Sequence, residues 1–498
     1  MDALEASMKA GGANPIDSKP LTDPGAPLAV DIDGTLTHSD FSWECMLQAV
    51  KVKPWVLFLV LIWRLSGKAY MKARLYEIAG EKVDVELLPY KQEVLALMQT
   101  YEASGQQVVL ASGSDARYVN RIAAHLKLAT PTHFGTAGKR NLTSSRKAAT
   151  LKEAFPDGFD YVGNSSADLA VWRAARKGFG TGFGRGLESR ARKVADDFEM
   201  LPDEKSARFP LIKSMRLHQW AKNFLVFTIF AITYPARGLD ALLQVGIGFV
   251  LLGLVASGTY ILNDLLDIEA DRQHATKRKR MFASGQLSVP LGATVALMMI
   301  LASHIAAYYL SPPFCGVLAI YTALTLSYSF LLKRYAVLDT FCLAGLFSLR
   351  VIAGGALIAV APSPWLLCFM FFFFLSLALA KRQVELNRKM ESSPQSRWGE
   401  VVAGRGYAVN DRGFVLAGGV GAAILSLNIF FIYSLLADLT LFSLPWLAMA
   451  AGLVLAFWLL RIWFLAARGE LDDDPIYFAI KDWVSVLLGT ALLVLLVV

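Results

Sequence analysis

The sequence predicts a soluble N-terminal domain followed by an all-α membrane domain of nine transmembrane helices. Apolar residues make up 55% of the 498-residue chain, and they are unevenly distributed along it. Up to about Ser214 the composition is that of a soluble protein, whereas beyond it stretches of about twenty apolar residues recur with almost no charge. The mean hydropathy of +0.44 comes mainly from this second half. The distribution indicates insertion in a membrane.

The candidate spans are recognised by their length and their lack of charge. They cover residues 219–236, 241–262, 289–310, 312–332, 337–361, 364–381, 413–436, 443–466 and 480–498. Because no basic segment followed by an apolar run opens the chain, we expect the N-terminal domain to stay in the cytoplasm. Lys and Arg then concentrate in cytoplasmic loops, as the positive-inside rule requires. We therefore expect a protein of the inner (cytoplasmic) membrane with its C-terminus on the opposite side.

The domain boundaries follow from composition. We expect an N-terminal tail over 1–26, a first domain over 27–186, a linker helix over 187–210 and the membrane domain over 211–498. The apolar segment 54–65, PWVLFLVLIWRL, is too short to span a bilayer comfortably. It is either a buried cap helix or an interfacial helix.

Charge and side-chain types exclude other functions. The net charge of +8 is typical of basic cytoplasmic loops, so no nucleic-acid partner is expected. The six histidines are scattered, and none lies four residues from another, which argues against a zinc site. The four cysteines show no C-x-x-C spacing and receive no chemical role.

Two carboxylates follow the apolar run of PLAVDIDGTLT. Asp31 and Asp33 are two residues apart, so in an extended strand end both point the same way. One carboxylate can attack a phosphorus atom, while the other protonates the leaving oxygen and later activates water. An anionic nucleophile facing an anionic phosphate requires a cation such as Mg²⁺.

This D-x-D-G-T pattern resembles the first motif of the haloacid dehalogenase (HAD) phosphatase superfamily. Ser112 in VVLASGS and Lys147 in SSRKAATL match its second and third motifs, and FDYVGNSSADLAVW offers Asn164 and Asp168 for its fourth. The resemblance implies an α/β Rossmann-like fold with a small helical cap. It also implies catalysis by Asp31, Asp33, Ser112 and Lys147, and Mg²⁺ held by Asp31, Asp33, Asn164 and Asp168.

Asn164 departs from that family, which commonly has a magnesium-binding Asp at this position. An Asn oxygen can bind Mg²⁺, but the loss of one negative charge weakens the site. The alternative is a catalytically inactive domain that serves binding or assembly.

A second group of carboxylates ends the second predicted span, in SGTYILNDLLDIEADRQ. Asp264, Asp267 and Asp271 are spaced by three and four residues, which predicts that they share one helical face beside Asn263. Such a row of charge at a membrane boundary is costly unless it binds a cation. Magnesium ions held there could clamp a diphosphate, and the basic run from Lys277 to Arg280 could bind further phosphate oxygens.

N-D-x-x-D-x-x-x-D resembles the first aspartate-rich motif of the UbiA-type prenyltransferase superfamily, which implies nine transmembrane helices. Members with aromatic acceptors carry a second D-x-x-x-D cluster, where this chain has AKRQVEL with Lys381, Arg382 and Glu385. Together with MRLHQWAKN and YSFLLKRYAVLD, this segment resembles the decaprenyl-phosphate phosphoribosyltransferase group. The two prolines expected around the basic run are Ala275 and Met281 here.

This resemblance implies the transfer of a phosphoribosyl group from phosphoribosyl pyrophosphate to a polyprenyl phosphate in cell envelope biosynthesis. The fused HAD domain would remove the 5-phosphate of the product, and membrane lipids and a homo-oligomer are compatible with this assignment. The implied substrate-binding residues are Lys222, Lys277, Arg280, Tyr328, Lys333, Arg350, Lys381, Arg382 and Glu385. Arg350 has an alternative role as partner of a buried carboxylate such as Asp339. The alternative function is a prenyl-diphosphate:aromatic-acceptor prenyltransferase with a non-catalytic or regulatory HAD domain.

Overall fold

The computed structural model describes residues 25–137, 141–202, 209–233, 238–274, 276–392, 406–436, 445–471 and 475–497. These residues form two compact units. The first comprises the described residues up to Pro210 together with Asp264–Pro290, and the second comprises Leu211–Asn263 and the residues from Leu291 onward. Most of the predicted tail 1–26, together with residues 203–208 and Ala275, lies outside the described residues.

The first unit is built on one six-stranded parallel sheet with the order β3-β2-β1-β4-β5-β6. Its strands are β1 Leu28–Val30, β2 Val108–Asp115, β3 Phe134–Thr136, β4 Asp160–Gly163, β5 Lys177–Gly180 and β6 Asp197–Met200. Because β1 pairs with β2 on one side and β4 on the other, the carboxyl ends of these three strands meet at a topological switch point. The predicted α/β class of the first domain is confirmed.

Helices cover both faces of this sheet and form its cap. They are α1 Phe41–Val52, α2 Val56–Leu65, α3 Lys68–Ala79, α4 Gln92–Ala103, α5 Ala116–His125, α6 Ser145–Ala154, α7 Leu169–Trp172 and α8 Arg185–Val194. Asp40 caps α1 by accepting a hydrogen bond from the backbone N–H of Ser42. Because α1, α2 and α3 are inserted between β1 and β2, they supply the predicted small helical cap.

The sheet continues further along the chain than the sequence indicates. Residues 187–200, assigned to a linker helix, complete α8 and add β6 to the edge of the sheet beside β5. Ala191 and Phe198 are buried against this part of the sheet. The strand DFEM is short and carries two acidic residues, so its composition resembles that of a linker.

The remaining helices form the second unit, except that α12 and the end of α11 from Asp264 onward belong to the first. They are α9 Pro210–Ser214, α10 Thr228–Thr233, α11 Gly238–Leu266, α12 Ile268–Gln273, α13 Val289–Leu310, α14 Pro312–Phe330, α15 Leu338–Leu357, α16 Pro364–Ser392, α17 Arg412–Leu436, α18 Pro445–Arg468, α19 Pro475–Lys481 and α20 Trp483–Val497. Within the described residues, seven of them are long and apolar enough to cross a membrane. Counting α19 and α20, which meet at 87°, as one broken span makes eight.

The protein is therefore a multi-pass membrane protein, while the count of nine spans remains a prediction. The first predicted span, 219–236, is instead a 3₁₀ segment over Leu217–Phe227 followed by the short helix α10. Gln219, Lys222 and Asn223 lie in this segment and interrupt its apolar character. A polar, irregular backbone at this depth is tolerated where protein surrounds it.

The segment Asp264–Pro290 folds onto α1 of the first unit. Arg272 Nη2 lies 2.7 Å from Glu44 Oε1, and each side chain is only 7% exposed. Arg272 Nε also donates to the carbonyl of Ala283 at 3.0 Å. Gln48 donates to Glu269 one turn further along α1. The segment that carries the predicted diphosphate site is thus part of the same compact unit as the sheet.

Replacing Arg272 by Met leaves the Glu44 carboxylate buried without its partner. We expect the Arg272→Met variant to lose about 3–5 kcal/mol of stability, the usual cost of removing one member of a buried ion pair. The double variant Glu44→Met with Arg272→Met should recover most of this loss, because no charge then remains buried. Thermal unfolding of the full chain in detergent measures both. A double variant no more stable than Arg272→Met would contradict the pairing.

Candidate active sites

The Asp31 carboxylate lies at the carboxyl end of β1 and is 7% exposed. Its Oδ1 accepts a hydrogen bond from Lys147 Nζ at 2.8 Å, and its Oδ2 accepts one from Thr35 Oγ1 at 3.2 Å. Burial raises the pKa of Asp31 to about 6, although the charge of Lys147 acts in the opposite direction. Hydrogen bonds to both oxygens therefore fix the Asp31 side chain at the carboxyl end of β1.

Lys147 reaches Asp31 from α6 through a buried network. Its Nζ donates to the hydroxyl of Tyr161 at 2.9 Å and lies 3.6 Å from Asp168 Oδ1, to which that hydroxyl donates at 2.7 Å. Burial alone would lower the pKa of Lys147, but the carboxylates of Asp31 and Asp168 outweigh it and raise this pKa. Lys147 therefore remains a cation beside Asp31.

The Asp33 carboxylate accepts hydrogen bonds from a helix terminus and from two hydroxyls. Its Oδ1 accepts from the backbone N–H of Phe41 at 2.9 Å, which ties it to the first residue of α1. Its Oδ2 accepts from Ser112 Oγ at 3.4 Å and from Ser114 Oγ. The second predicted motif thus contributes two hydroxyls, of which the sequence analysis identified only Ser112.

Asn164 lies directly against Gly34, in the turn that follows Asp33. Gly34 has φ +76°, and a methyl group in its place would collide with the amide nitrogen of Asn164. The Oδ2 of Asp168 accepts hydrogen bonds from the backbone N–H of Asn164 and from Ser165, and its Oδ1 accepts one from Tyr161. Asp168 therefore fixes the loop that carries Asn164.

These residues suit a magnesium ion. Within the ranges that the structure describes, no group of three or more His, Cys, Asp or Glu side chains is placed to hold a metal. The donor set at this site is instead two carboxylates, Asp31 and Asp33, with the neighbouring amide of Asn164. Hard oxygen donors of this kind fit Mg²⁺, with water and phosphate oxygens completing its coordination.

The cap contributes a cation that the sequence analysis missed. Lys72 on α3 donates from Nζ to the carbonyl of Gly113 at 2.7 Å, between Ser112 and Ser114 in β2. Tyr161 was missed as well. Neither belongs to a motif with fixed spacing, so only the fold brings them to the site.

The predicted continuous aspartate face is interrupted. Helix α11 ends at Leu266 and α12 begins at Ile268, so the chain turns at Asp267, whose φ is −93° and ψ is 7°. The turn separates Asp264, in the last turn of α11, from Asp271 in α12. The three aspartates therefore do not lie on one unbroken helix, and a shared face for all three remains a prediction.

Arg280 brings two of these aspartates together. Its Nη1 lies 3.2 Å from Asp264 Oδ1 and 2.7 Å from Asp271 Oδ2. Both aspartates are 4% exposed. Burial raises the pKa of Asp271, while Arg280 acts against this effect. Two buried carboxylates around one cation form a position suited to a divalent metal, which would free Arg280 to bind phosphate.

In the second unit, Arg382 is 1% exposed and lies between two carboxylates. Its Nε is 2.8 Å from Asp339 Oδ2, its Nη1 contacts Glu385, and its Nη2 donates to Tyr328 at 3.2 Å. Tyr407 donates to the other oxygen of Asp339 at 2.8 Å. Three predicted substrate-binding residues, Tyr328, Arg382 and Glu385, are therefore in contact. Arg382 also connects α16 to α15 through its ion pair with Asp339.

Arg350 has uncharged partners. Its Nε donates to Asn223 Oδ1 at 3.0 Å and its Nη2 to the hydroxyl of Tyr321 at 3.0 Å. The alternative pairing of Arg350 with Asp339 is wrong, because Arg382 occupies that carboxylate. A buried guanidinium held by neutral groups retains charge for an anionic ligand.

The other predicted binding residues lie on separate segments. Lys222 is in the 3₁₀ segment Leu217–Phe227 and lines a small cavity together with Tyr477. Lys277 begins an exposed 3₁₀ turn, Lys333 lies in the turn before α15, and Lys381 precedes Arg382 on α16. Asn263 lies in the last turn of α11.

Together, the long apolar helices define a multi-pass membrane protein with clusters of charged residues near several helix ends. Residues 224–486 match the model of the UbiA prenyltransferase family. This match covers more than half of the chain, so the protein belongs to the UbiA prenyltransferase family.

Several relatives are similar to this chain. An uncharacterized protein of Sinorhizobium fredii is 37% identical over 468 residues, covering 93% of this chain and 89% of the relative. Decaprenyl-phosphate phosphoribosyltransferase of Mycobacterium tuberculosis is 36% identical over 184 residues, covering 36% of this chain and 60% of that protein. A HAD family hydrolase from Salmonella enterica matches 36% of this chain and 69% of its own, with 14% identity and a TM-score of 0.28.

Removal of the Tyr161 hydroxyl tests the network around Lys147. We expect Tyr161→Phe to lower phosphate release by about 10- to 100-fold, the loss that follows from one hydrogen bond to a charged group. Tyr101→Phe is a matched control, because its hydroxyl donates to Asp160 at 2.9 Å at the opposite, amino end of β4. Phosphate release by purified protein measures both. Equal losses in the two variants would contradict a role for this network.

Proposed function

We propose that the membrane domain transfers a phosphoribosyl group from phosphoribosyl pyrophosphate to a polyprenyl phosphate, and that the first unit then removes the 5-phosphate of the product. Membership of the UbiA family and the partial similarity to decaprenyl-phosphate phosphoribosyltransferase support the transfer. One structural observation carries the coupling of the two steps. The carboxylates of the predicted diphosphate site, Asp264 and Asp271, fold in the same unit as Asp31.

In the transfer step, the lipid phosphate oxygen bonds to the ribose carbon as pyrophosphate departs. Asp264, Asp267 and Asp271, with Asn263, would hold Mg²⁺, which would offset the charge of the leaving pyrophosphate. Arg280 would turn from the carboxylates to the diphosphate, because an arginine fork can bind two phosphate oxygens.

Basic residues of the second unit would bind the phosphate groups of the two substrates. Lys222, Lys333, Lys381 and Arg350 supply positive charge, and Lys277 adds to the basic run near Arg280. The structure supports this role most directly for Arg350, which is held by neutral partners. Arg382 would act beside Glu385 and Tyr328, with part of its charge engaged by Asp339.

In the second step, Asp31 would attack the phosphorus atom of the 5-phosphate. Asp33 would protonate the departing sugar oxygen and then take a proton from the water that hydrolyses the phosphorylated Asp31. Lys147 neutralises the nucleophile, and Ser112 would position the phosphate. Mg²⁺ at Asp31, Asp33 and Asn164 would screen the two anions from each other, with Asp168 fixing the loop.

A second candidate function uses the lipid as electrophile, with an aromatic compound as acceptor. The family name favours it, since UbiA proteins are described as prenyltransferases. AKRQVEL, with two cations and one carboxylate, argues against it because this segment favours a phosphate-rich ligand. Incubation with radiolabelled phosphoribosyl pyrophosphate and polyprenyl phosphate decides between them. Label in the lipid fraction supports our proposal, and its absence while prenyl diphosphate reacts with an aromatic acceptor supports the alternative.

Substitution of the nucleophile separates the two steps. Asp31→Asn should abolish phosphate release but leave transfer intact, so the phosphorylated lipid product accumulates. Asp157→Asn, in an exposed loop of the same unit, should behave as wild type. Mass spectrometry of the lipid fraction measures the products. Undiminished phosphate release by Asp31→Asn would exclude this residue as nucleophile.

Substitution at the other site should have the opposite effect. Asp264→Asn removes one of the two charges around Arg280, and we expect transfer to fall by about 100-fold or more. Release of phosphate from supplied phosphorylated product should persist. Asp240→Asn is the matched control, since Asp240 is exposed at the other end of the same helix, α11. Transfer by Asp264→Asn at the control rate would contradict the assignment.

A further inference from the structure

The cap of the first unit presents an apolar surface that the proposed chemistry does not use. We define the α2 surface as the exposed apolar side chains in and directly before helix α2. They are Trp55 at 58% exposure, Leu57 at 52%, Phe58 at 71%, Leu61 at 69%, Ile62 at 59% and Leu65 at 89%. Such contiguous apolar exposure marks a surface that contacts a partner or a membrane.

The opposite side of α2 is part of the cap. Val56 is fully buried, and Val60 and Trp63 pack against the core of the first unit. Residues 57, 58, 61, 62 and 65 follow the helical repeat, so they lie on one face. The helix is thus folded and anchored on one face while its other, equally apolar face has no cover within the described residues.

The chain segment around α2 carries charge of one sign. Between Glu44 and Glu77 the chain has six basic residues and no acidic one. The basic residues are Lys51, Lys53, Arg64, Lys68, Lys72 and Arg74. Trp55 and Tyr70, both exposed, stand just before α2 and just after it. Apolar residues bordered by aromatic side chains and cations match the interface of a bilayer with anionic lipids.

We propose that α2 is an interfacial membrane anchor, which inserts its exposed apolar face into the surface of an anionic bilayer. The occupant is a bilayer rather than another protein, because positive charge prevails beside the α2 surface. Glu269 and Glu77 pair with Lys51 and Arg74. Lys53, Arg64 and Lys68 form no ion pair within the described residues. A membrane is also always nearby, since the same chain crosses one. With 10 residues, α2 is about 15 Å long, half the thickness of the hydrocarbon core, so it lies in the surface.

Anchoring of the cap would affect which phosphate esters the first unit hydrolyses, an inference that rests on the proposed function. Helix α2 packs against α3, and α3 carries Lys72, which donates to Gly113 between Ser112 and Ser114 in β2. Insertion of α2 thereby fixes the cap at the membrane surface with its lysine at the phosphatase site. The site then favours phosphate esters carried on a membrane lipid over soluble ones.

Fluorescence quenching tests the anchor without any enzyme assay. Leu61→Cys and, as control, Glu102→Cys on α4 are made in a Cys368→Ser background, because Cys368 is exposed. The full chain is labelled with an environment-sensitive dye and reconstituted in liposomes that contain phosphatidylglycerol. We expect spin-labelled lipids to quench the dye at position 61 and aqueous iodide to quench the dye at position 102.

Two outcomes would overturn the anchor. Quenching of both positions by iodide would show that the α2 surface faces water. Protection of position 61 from both quenchers would show that a protein, such as a second copy of this chain, covers it.

An activity comparison tests the consequence for substrate choice. We expect the double variant Phe58→Glu with Leu61→Glu to dephosphorylate lipid-linked phosphoribose phosphate in liposomes about tenfold more slowly, because charge opposes insertion. Its hydrolysis of soluble p-nitrophenyl phosphate should match wild type. Equal loss on both substrates would show that α2 only maintains the cap. If wild type hydrolyses neither substrate, the proposed phosphatase fails, while the quenching result still decides the anchor.

Discussion

The buried ion pair between Glu44 and Arg272 is the contact on which the organisation of the first unit depends. Two charges that are each 7% exposed would be costly unless they met with good geometry. Their contact attaches the segment Asp264–Pro290, which follows a membrane helix in sequence, to the first helix of the cap. Because the alternative is a pair of unpaired buried charges, this contact specifies where the aspartate segment docks.

The same principle governs the phosphatase-type site. Burial disfavours the ionised form of Asp31, and Lys147 compensates for it at 2.8 Å. Asp168 links Asn164 to Lys147. One of its carboxylate oxygens accepts from the backbone N–H of Asn164, and the other accepts from the hydroxyl of Tyr161, which in turn accepts from Lys147. The nucleophile, its cation and the candidate metal-binding amide are therefore positioned by one connected network. This arrangement suits attack on phosphate, since the donors are in place before the substrate binds.

The sequence was informative where chemistry requires fixed spacing. The motifs containing Asp31, Ser112 and Lys147 predicted residues that the parallel sheet brings together at the ends of β1 and β2 and the start of α6. The sequence did not predict site residues whose positions depend on tertiary contacts. Tyr161 faces the site because of its register in β4, and Lys72 because the cap folds over β2, and neither register nor cap orientation is encoded by spacing.

The tertiary structure also determines features that local sequence patterns do not predict. The spacing does not predict the break at Asp267 between α11 and α12, and it does not predict that Arg280 contacts both Asp264 and Asp271. Strand β6 was missed because four residues with two acidic side chains lack a strand pattern. The partner of Arg272 was not predictable, because Glu44 lies 228 residues away and no local rule relates them.

The central claim is that one chain performs two consecutive steps on a lipid-linked sugar phosphate. A time course of wild-type protein with polyprenyl phosphate and phosphoribosyl pyrophosphate, followed by mass spectrometry, tests it most directly. Our account predicts that polyprenyl phosphoribose phosphate appears first and then declines, while its dephosphorylated form and inorganic phosphate rise in equal amounts. A phosphorylated product that persists without release of inorganic phosphate, or a lipid fraction that never gains phosphoribose, would contradict it.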